Sequence, residues 1–300
     1  MKYNDNTMKQ KIKILVCCHK KSELPDNNDS VFLPIHVGAA LSSEMLGIQR
    51  DDKNNLDVCD NISNKNKSYC ELTALYWAWK NIKTIFPKIE YIGLNHYRRF
   101  FNFDEMLAHD WNLRPINDVK NYKINYSKLF QYLKNNYGII AKKKIYPYSL
   151  VVDYSVVHLS EDFRVLENLI KQDYPEYFND FIDIFYCNNA LSHFNMFIWK
   201  YDDFEKYCEW LFGILFKLEE RIDISKYNPV QARIWGYIAE RLLNLYVAKN
   251  KMKMKYLPVN VYNDKKESNL KYYLNRIRYN IAFKLSKPEL KNVLDEKKKC

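Results

Sequence analysis

Glycine and proline are scarce, six and nine in 300 residues, and no stretch repeats. The glycines never fall into G-x-G-x-x-G or G-x-x-x-x-G-K-[ST]. This excludes a dinucleotide fingerprint and a P-loop, so a nucleotide would have to be held another way. No apolar run reaches the roughly 18 residues of a membrane span. The opening MKYNDNTMKQKIK lacks the apolar segment of a signal peptide, so a cytoplasmic location is expected. Seven cysteines, an odd number (Cys17, Cys18, Cys59, Cys70, Cys187, Cys208 and Cys300), show no metal-ligand spacing. They read as reduced, mostly buried thiols and argue against a zinc site.

What is present is the composition of a folded enzyme: 47% hydrophobic and 16% aromatic residues can bury a large core. The net charge of +11 fits nucleic acid, an anionic membrane or a phosphorylated substrate. Much of the excess follows Lys249, in KNKMKMK, at Lys265 and Lys266, and at Lys297 to Lys299. That is the pattern of an attachment element.

The chain is organised around residues 90–103, EYIGLNHYRRFFNF. Residues 90–95 read as a buried strand, and His96, Tyr97, Arg98 and Arg99 follow where it would leave a sheet. Open α/β sheets bind ligands at the carboxyl ends of their strands, and guanidinium forks match phosphate oxygens. The plainer alternative is two surface ion pairs and a histidine satisfied in a turn. Upstream, IKILVCC at 12–18 reads as a first strand ending in His19, with a short β run near Ile35 and Val37 after it. The Asp- and Asn-rich stretch that follows, with Asp60 and Asn61, reads as loop. Ser68 and Glu71 have the spacing of a capping box that starts a helix over 68–82, ended by Phe86 and Pro87.

Two short helices are expected between Phe103 and Tyr137, and a strand over 137–142. Residues 143–158, with Asp153 and His158, read as a loop that could hold a sugar or an acceptor. Ser160 caps a helix reaching Pro175, in whose first turn Asp162 either stabilises the dipole or serves the site. A strand is expected over 192–200, polar at entry through His193 and Asn195, and then an amphipathic helix over 202–221. Asn228 and Pro229 open a last core helix on which Gln231, Arg233, Glu240 and Arg241 are polar. Glu240 and Arg241 are either a buried ion pair or include a catalytic carboxylate. A basic amphipathic helix over 268–285 fits an anionic membrane surface and fits packing on the main domain equally well.

The motifs VCCHK, PIHVGAAL, DNIS, N-x-x-YCELTALYWAWKN, YIGLNHYRRFF, FNMFIWK, YCEWLFGILFKLEERIDIS and QARIWGYIAERLLN span residues 11–247 in order. They resemble a bacterial family of capsular and exopolysaccharide glycosyltransferases, catalogued as a domain of unknown function, that includes galactofuranosyltransferases. The resemblance implies a GT-A-like α/β fold with a mixed central sheet flanked by helices. One nucleotide-sugar-binding domain would occupy 11–262, between a flexible arm (1–10) and a basic helical tail (263–300). It also implies a UDP-sugar donor and a lipid-linked glycan acceptor. Many GT-A enzymes hold a divalent cation with Asp-x-Asp at the end of the strand matching YIGLN, where this chain has His96, Tyr97 and Arg98. Either cationic side chains meet the diphosphate directly, the favoured reading, or His96 and Asp60 hold Mg²⁺ or Mn²⁺.

In this reading Glu240 and Asp162 are candidate bases. His19, Asn61, His96, Tyr97, Arg98 and Arg99 bind the donor, and His158, His193, Asn195, Gln231 and Arg233 bind sugar or acceptor. The competing classes are a basic nucleic-acid-binding module, against which no nucleic-acid motif is present, and a non-catalytic scaffold of a polysaccharide assembly complex.

Overall fold

In strand β1 (Ile12–Cys18) all seven side chains are buried, so it needs cover on both faces and partners on both edges. The computed structural model, which describes residues 5–26, 30–54, 59–104, 110–263 and 274–285, provides both. β2 (Phe32–His36) and β4 (Tyr91–His96) flank β1 in parallel, and β3 (Gln49–Arg50) extends that edge. On the other side β10 (Phe197–Lys200) runs antiparallel to β4 and to β7 (Gly138–Ala141), and β11 (Met254–Leu257) runs parallel to β7. β5 (Arg99–Phe101) turns back from β4, and β12 (Val259–Tyr262) joins it to β6 (Trp111–Arg114). A two-stranded ribbon, β8 (Lys144–Ile145) with β9 (Ala190–Leu191), lies apart.

Alternation along β1 divides the interior in two. Leu15 and Cys17 enter a core built with α3 (Leu72–Ile85), α5 (Leu150–Val157), α6 (Ser160–Asp173), α7 (Pro175–Phe185), α8 (Tyr201–Glu219) and α9 (Ile234–Lys249). Ile12, Ile14, Val16 and Cys18 enter the other, with Phe100, Phe101 and residues of α1 (Asp5–Gln10) and α4 (Tyr126–Lys134). Phe163, Phe181 and Phe185 are buried between α6 and α7, each worth about 1.5–3 kcal/mol over exposure.

The architecture is the expected mixed α/β one, but several elements differ in detail. The helix expected over 68–82 is broken: α2 (Asn66–Tyr69) ends at Cys70, whose φ is +52°, and α3 starts at Leu72. Ser68 Oγ donates to Lys65 O, so there is no capping box, and Glu71 is turned elsewhere. Within 143–158, α5 replaces the expected loop because Leu150 and Tyr154 bury on one side. Pro175 both ends α6 and opens the unforeseen α7 at its first turn. The strand expected from Ser192 begins only at Phe197, since Phe194 and Asn195 have φ of +73° and +53°. Asn228 caps a turn by accepting from Val230 N and Gln231 N, and α9 opens later, at Ile234. The two short helices expected after Phe103 are present, a 3-10 helix over Ile116–Asn121 and α4. Residues 5–10 of the expected flexible arm form α1, with Met8 buried, while 1–4 lie outside the described residues. The tail is helical over 274–285; residues 264–273 and 286–300 lie outside the described residues.

Candidate active site

At the carboxyl ends of β1 and β4 the surface opens into a cleft of two adjoining lobes. The larger, about 430 Å³, is lined by His19, Lys67, Tyr97 and Arg98 among others. The smaller, about 250 Å³, is lined by Phe194, Gly236, Tyr237 and Glu240. Cys70, Glu71, His96, Arg99 and Arg233 line both.

The larger lobe is shaped by the tight β4–β5 turn, in which His96 pairs with Arg99. Tyr97 N donates to Cys17 O at 3.1 Å, fixing the turn to β1. Arg98 lies over the Tyr97 ring at 4.9 Å and Arg99 over the Phe194 ring at 4.5 Å. Arg233 Nε donates to Cys70 Sγ at 3.2 Å. None of these three arginines enters an ion pair among the described residues, although they share the lobe with Lys67 and one carboxylate, Glu71. Cations held in a cleft without anionic partners mark a place for a ligand's negative charge. Burial lowers the Arg99 pKa, and Glu71 and Glu240 oppose that, so it stays a cation.

Both histidines of this lobe are neutral at pH 7. Burial, then Lys20, Arg98 and Arg233, lower the pKa of His19. Burial and Arg99 lower that of His96, against smaller opposing effects of Glu71 and Glu240. His96 Nε2 lies 2.7 Å from Phe194 O, and a carbonyl only accepts, so His96 donates from Nε2. Its work is to hold Phe194. Behind the lobe, the fully buried Asp51 accepts from Gly38 N, Ala39 N, Ser63 Oγ and Thr73 Oγ1, tying the β2 loop to α3. Gly38, at φ +70°, lets the Asn66 side chain come within 2.7 Å of where a Cβ would be.

The smaller lobe rests on the strained pair Phe194 and Asn195. A positive φ at a bulky residue costs on the order of 1–3 kcal/mol and persists only where its surroundings enforce it. Three bonds enforce it here: His96 to Phe194 O, Phe194 N to Glu240 Oε1 at 2.8 Å, and Asn195 Nδ2 to Glu71 Oε1 at 2.8 Å. Glu240 Oε2 also faces His193 Nδ1 and Arg241 Nη1, each at 3.3 Å. Burial pushes the Glu240 carboxyl up, but His193, Arg241 and the Phe194 N–H outweigh it and hold it at about 2. His193 Nε2 meets Tyr146 OH, and Arg241 lies 3.7 Å from Asp153. Around His158, which stacks on Tyr237, the chain is apolar and exposed at Val156, Val157 and Leu159.

Of the residues singled out in the sequence, His19, His96, Tyr97, Arg98, Arg99, Arg233 and Glu240 come together in this cleft. His193 and Asn195 stand directly behind it, bonded to its two carboxylates. His158 stacks on Tyr237 at 4.0 Å, one side chain removed. The others lie elsewhere. Asn61 bonds Cys59 O and Ser63 N, Asp162 accepts from Tyr227 OH at 2.6 Å, and Gln231 donates to Val157 O. Glu71, Lys67, Cys70 and Tyr237 were not singled out as site residues. Glu71 has the spacing of a capping-box partner, which hid it; the helix break at Cys70 is what turns it into the cleft.

A hard divalent cation prefers several oxygen ligands, and Glu71 is the one carboxylate lining the larger lobe. Asp60 accepts from Tyr76 OH and does not line the cleft. No group of three His, Cys, Asp or Glu among the described residues could hold a metal. The donor set does not fit Mg²⁺ or Mn²⁺.

No curated protein matches this chain. Among solved structures it is similar to the bifunctional glycosyltransferase WbbM in its apo form, with a TM-score of 0.68 and 28% identity over 84% of this chain. It spans 45% of that chain, less than half its length. The profile described as "Domain of unknown function (DUF4422)" matches residues 13–251, and the chain belongs to that family.

Proposed function

We propose that this chain transfers a glycosyl group from a UDP-sugar to a hydroxyl of a glycan acceptor, with inversion at the anomeric carbon. One observation carries the reading: Arg98, Arg99, Arg233 and Lys67 surround a cavity of about 430 Å³ at the strand ends with no ion pair of their own among the described residues. That is the electrostatics a leaving diphosphate needs, since fixed cations stabilise charge that grows in the transition state. The likeness to a glycosyltransferase structure supports the same reading.

The acceptor oxygen attacks the anomeric carbon while the bond from that carbon to the diphosphate oxygen breaks, its electron pair leaving with UDP. The acceptor proton passes to a carboxylate. Glu71 suits this role: it lines both lobes and accepts one bond, from Asn195. Glu240 is held as an anion by three partners and instead orients the Phe194 turn and the acceptor side. His19 and Tyr97 border the nucleotide. A galactofuranosyl donor is the favoured one, on the resemblance of the motifs to galactofuranosyltransferases. A lipid-linked surface-polysaccharide acceptor fits the exposed Val156, Val157 and Leu159 around His158.

A thermal-shift panel of UDP, GDP, CDP and ADP tests the reading. UDP should raise the melting temperature of the wild type and fail to do so in Arg99→Ala or Arg233→Ala. If no nucleotide shifts the wild type, the donor assignment fails.

A further inference from the structure

Residues 274–285 form a helix whose amphipathicity is turned outward. Leu274, Ile277, Ile281 and Leu285 are 58%, 59%, 54% and 76% exposed, whereas Phe283 is 6% exposed. At about 100° per residue the four aliphatic side chains fall within an arc of roughly 80°, with Phe283 and Arg276 on the opposite side. Arg278 and Lys284, both exposed, fall one on each side of the apolar stripe. A helix that only packed on its own domain would point this stripe inward. Among the described residues, no helix is long and apolar enough to cross a membrane.

We propose that this helix is a docking surface for an anionic lipid bilayer, lying in the interfacial plane. The stripe enters the boundary between headgroups and acyl chains, while Arg278 and Lys284 reach up along its edges to lipid phosphates. Charge complementarity selects this occupant over a second protein copy. Residues 264–300 carry eleven Lys and Arg against five Asp and Glu, and each base near an anionic surface adds about fivefold to binding. Arg276, on the helix face away from the stripe, acts electrostatically on the buried Asp110, so that face is turned to the domain.

The test is flotation of the full chain, without nucleotide, on phosphatidylcholine vesicles with and without phosphatidylglycerol. The wild type should float with the anionic vesicles only. Ile277→Glu with Ile281→Glu, checked for an unchanged melting temperature, should stay in the dense fraction. Arg278→Ser with Lys284→Ser should bind on the order of tenfold or more weakly. Arg99→Ala should float like the wild type, so a failed nucleotide assignment leaves this result readable. A wild type that does not float, or an Ile277/Ile281 variant that floats equally, overturns the proposal. So does a dimer in light scattering that this variant converts to a monomer without any vesicle binding, since the stripe would then face a second copy.

Discussion

Asn195 Nδ2 donates to Glu71 Oε1 at 2.8 Å, joining residues 124 positions apart. Asn195 also reaches Gly236 O at 3.3 Å, so the bond anchors the Glu71 carboxylate to α9 as well as to the strained turn. A base held this way keeps one oxygen committed and the other available to a substrate proton. Glu71→Gln should therefore lower kcat by about 10²–10⁴-fold, the usual weight of a general base. The UDP-induced thermal shift should be retained. Initial rates of UDP release checked against that shift decide the matter, and an unchanged kcat removes Glu71 from the role.

Arg98, Arg99 and Arg233 should each matter to donor affinity. A charge-assisted hydrogen bond is worth about 1.5–3 kcal/mol, roughly 10- to 150-fold in Kd. Calorimetric titration of UDP into each Ala variant should show losses in that range, largest for Arg99, which is half-buried where Arg98 and Arg233 are exposed. Lys replacements should recover only part, since an ammonium cannot bridge two phosphate oxygens as a guanidinium does. Adding EDTA to the wild type should leave the Kd unchanged, because one carboxylate in the larger lobe is a poor cation cage. A Kd that rises with EDTA would return a metal to the donor site.

The sheet was legible because its strands carry their own signals. Apart from Lys13, IKILVCC is apolar on both faces, and the observed β1 has the expected bounds. The arginine corner was legible because it follows such a strand directly. What escaped depends on backbone conformations that no periodicity encodes. Cys70, Phe194 and Asn195 all have positive φ without being glycine, so the helix break that aims Glu71 and the turn that receives it leave no glycine mark. Asp51 reads as part of a solvated Asp and Asn stretch, yet it is fully buried with four donors around it. Burial of a carboxylate is set by distant donors, here Gly38, Ser63 and Thr73, and not by its neighbours in sequence.

Gly93 tests how tightly the floor beneath the cleft is packed. It lies mid-strand in β4, and a Cβ there would come within 2.8 Å of both Phe197 O and Ile198 Cγ1 on β10. The backbone oxygen cannot swing away, so Gly93→Ala should separate β4 from β10 and destabilise the fold by about 1–3 kcal/mol. Urea unfolding measures this. Because His96 ends β4 and the Phe194 turn leads into β10, UDP affinity should fall as well. A variant as stable as the wild type would mean the strands are free to move apart.

Glu240 gives a prediction in pH. Its carboxyl is held at about 2 against an ordinary 4.5, so the folded chain binds this proton less readily than the unfolded chain. The stabilisation is therefore complete above about pH 4.5 and is lost as pH falls towards 2. A shift of this size corresponds to about 3 kcal/mol. Urea unfolding of the wild type and of Glu240→Gln should show the variant weaker at pH 7, with the two curves converging between pH 4.5 and 2. Activity separates the two carboxylates of the cleft further. Glu240 is already an anion throughout the working range and orients rather than accepts the proton, so at pH 7 Glu240→Gln should cost less in kcat than Glu71→Gln. The opposite pattern would exchange their roles, making Glu240 the proton acceptor and Glu71 the group that orients.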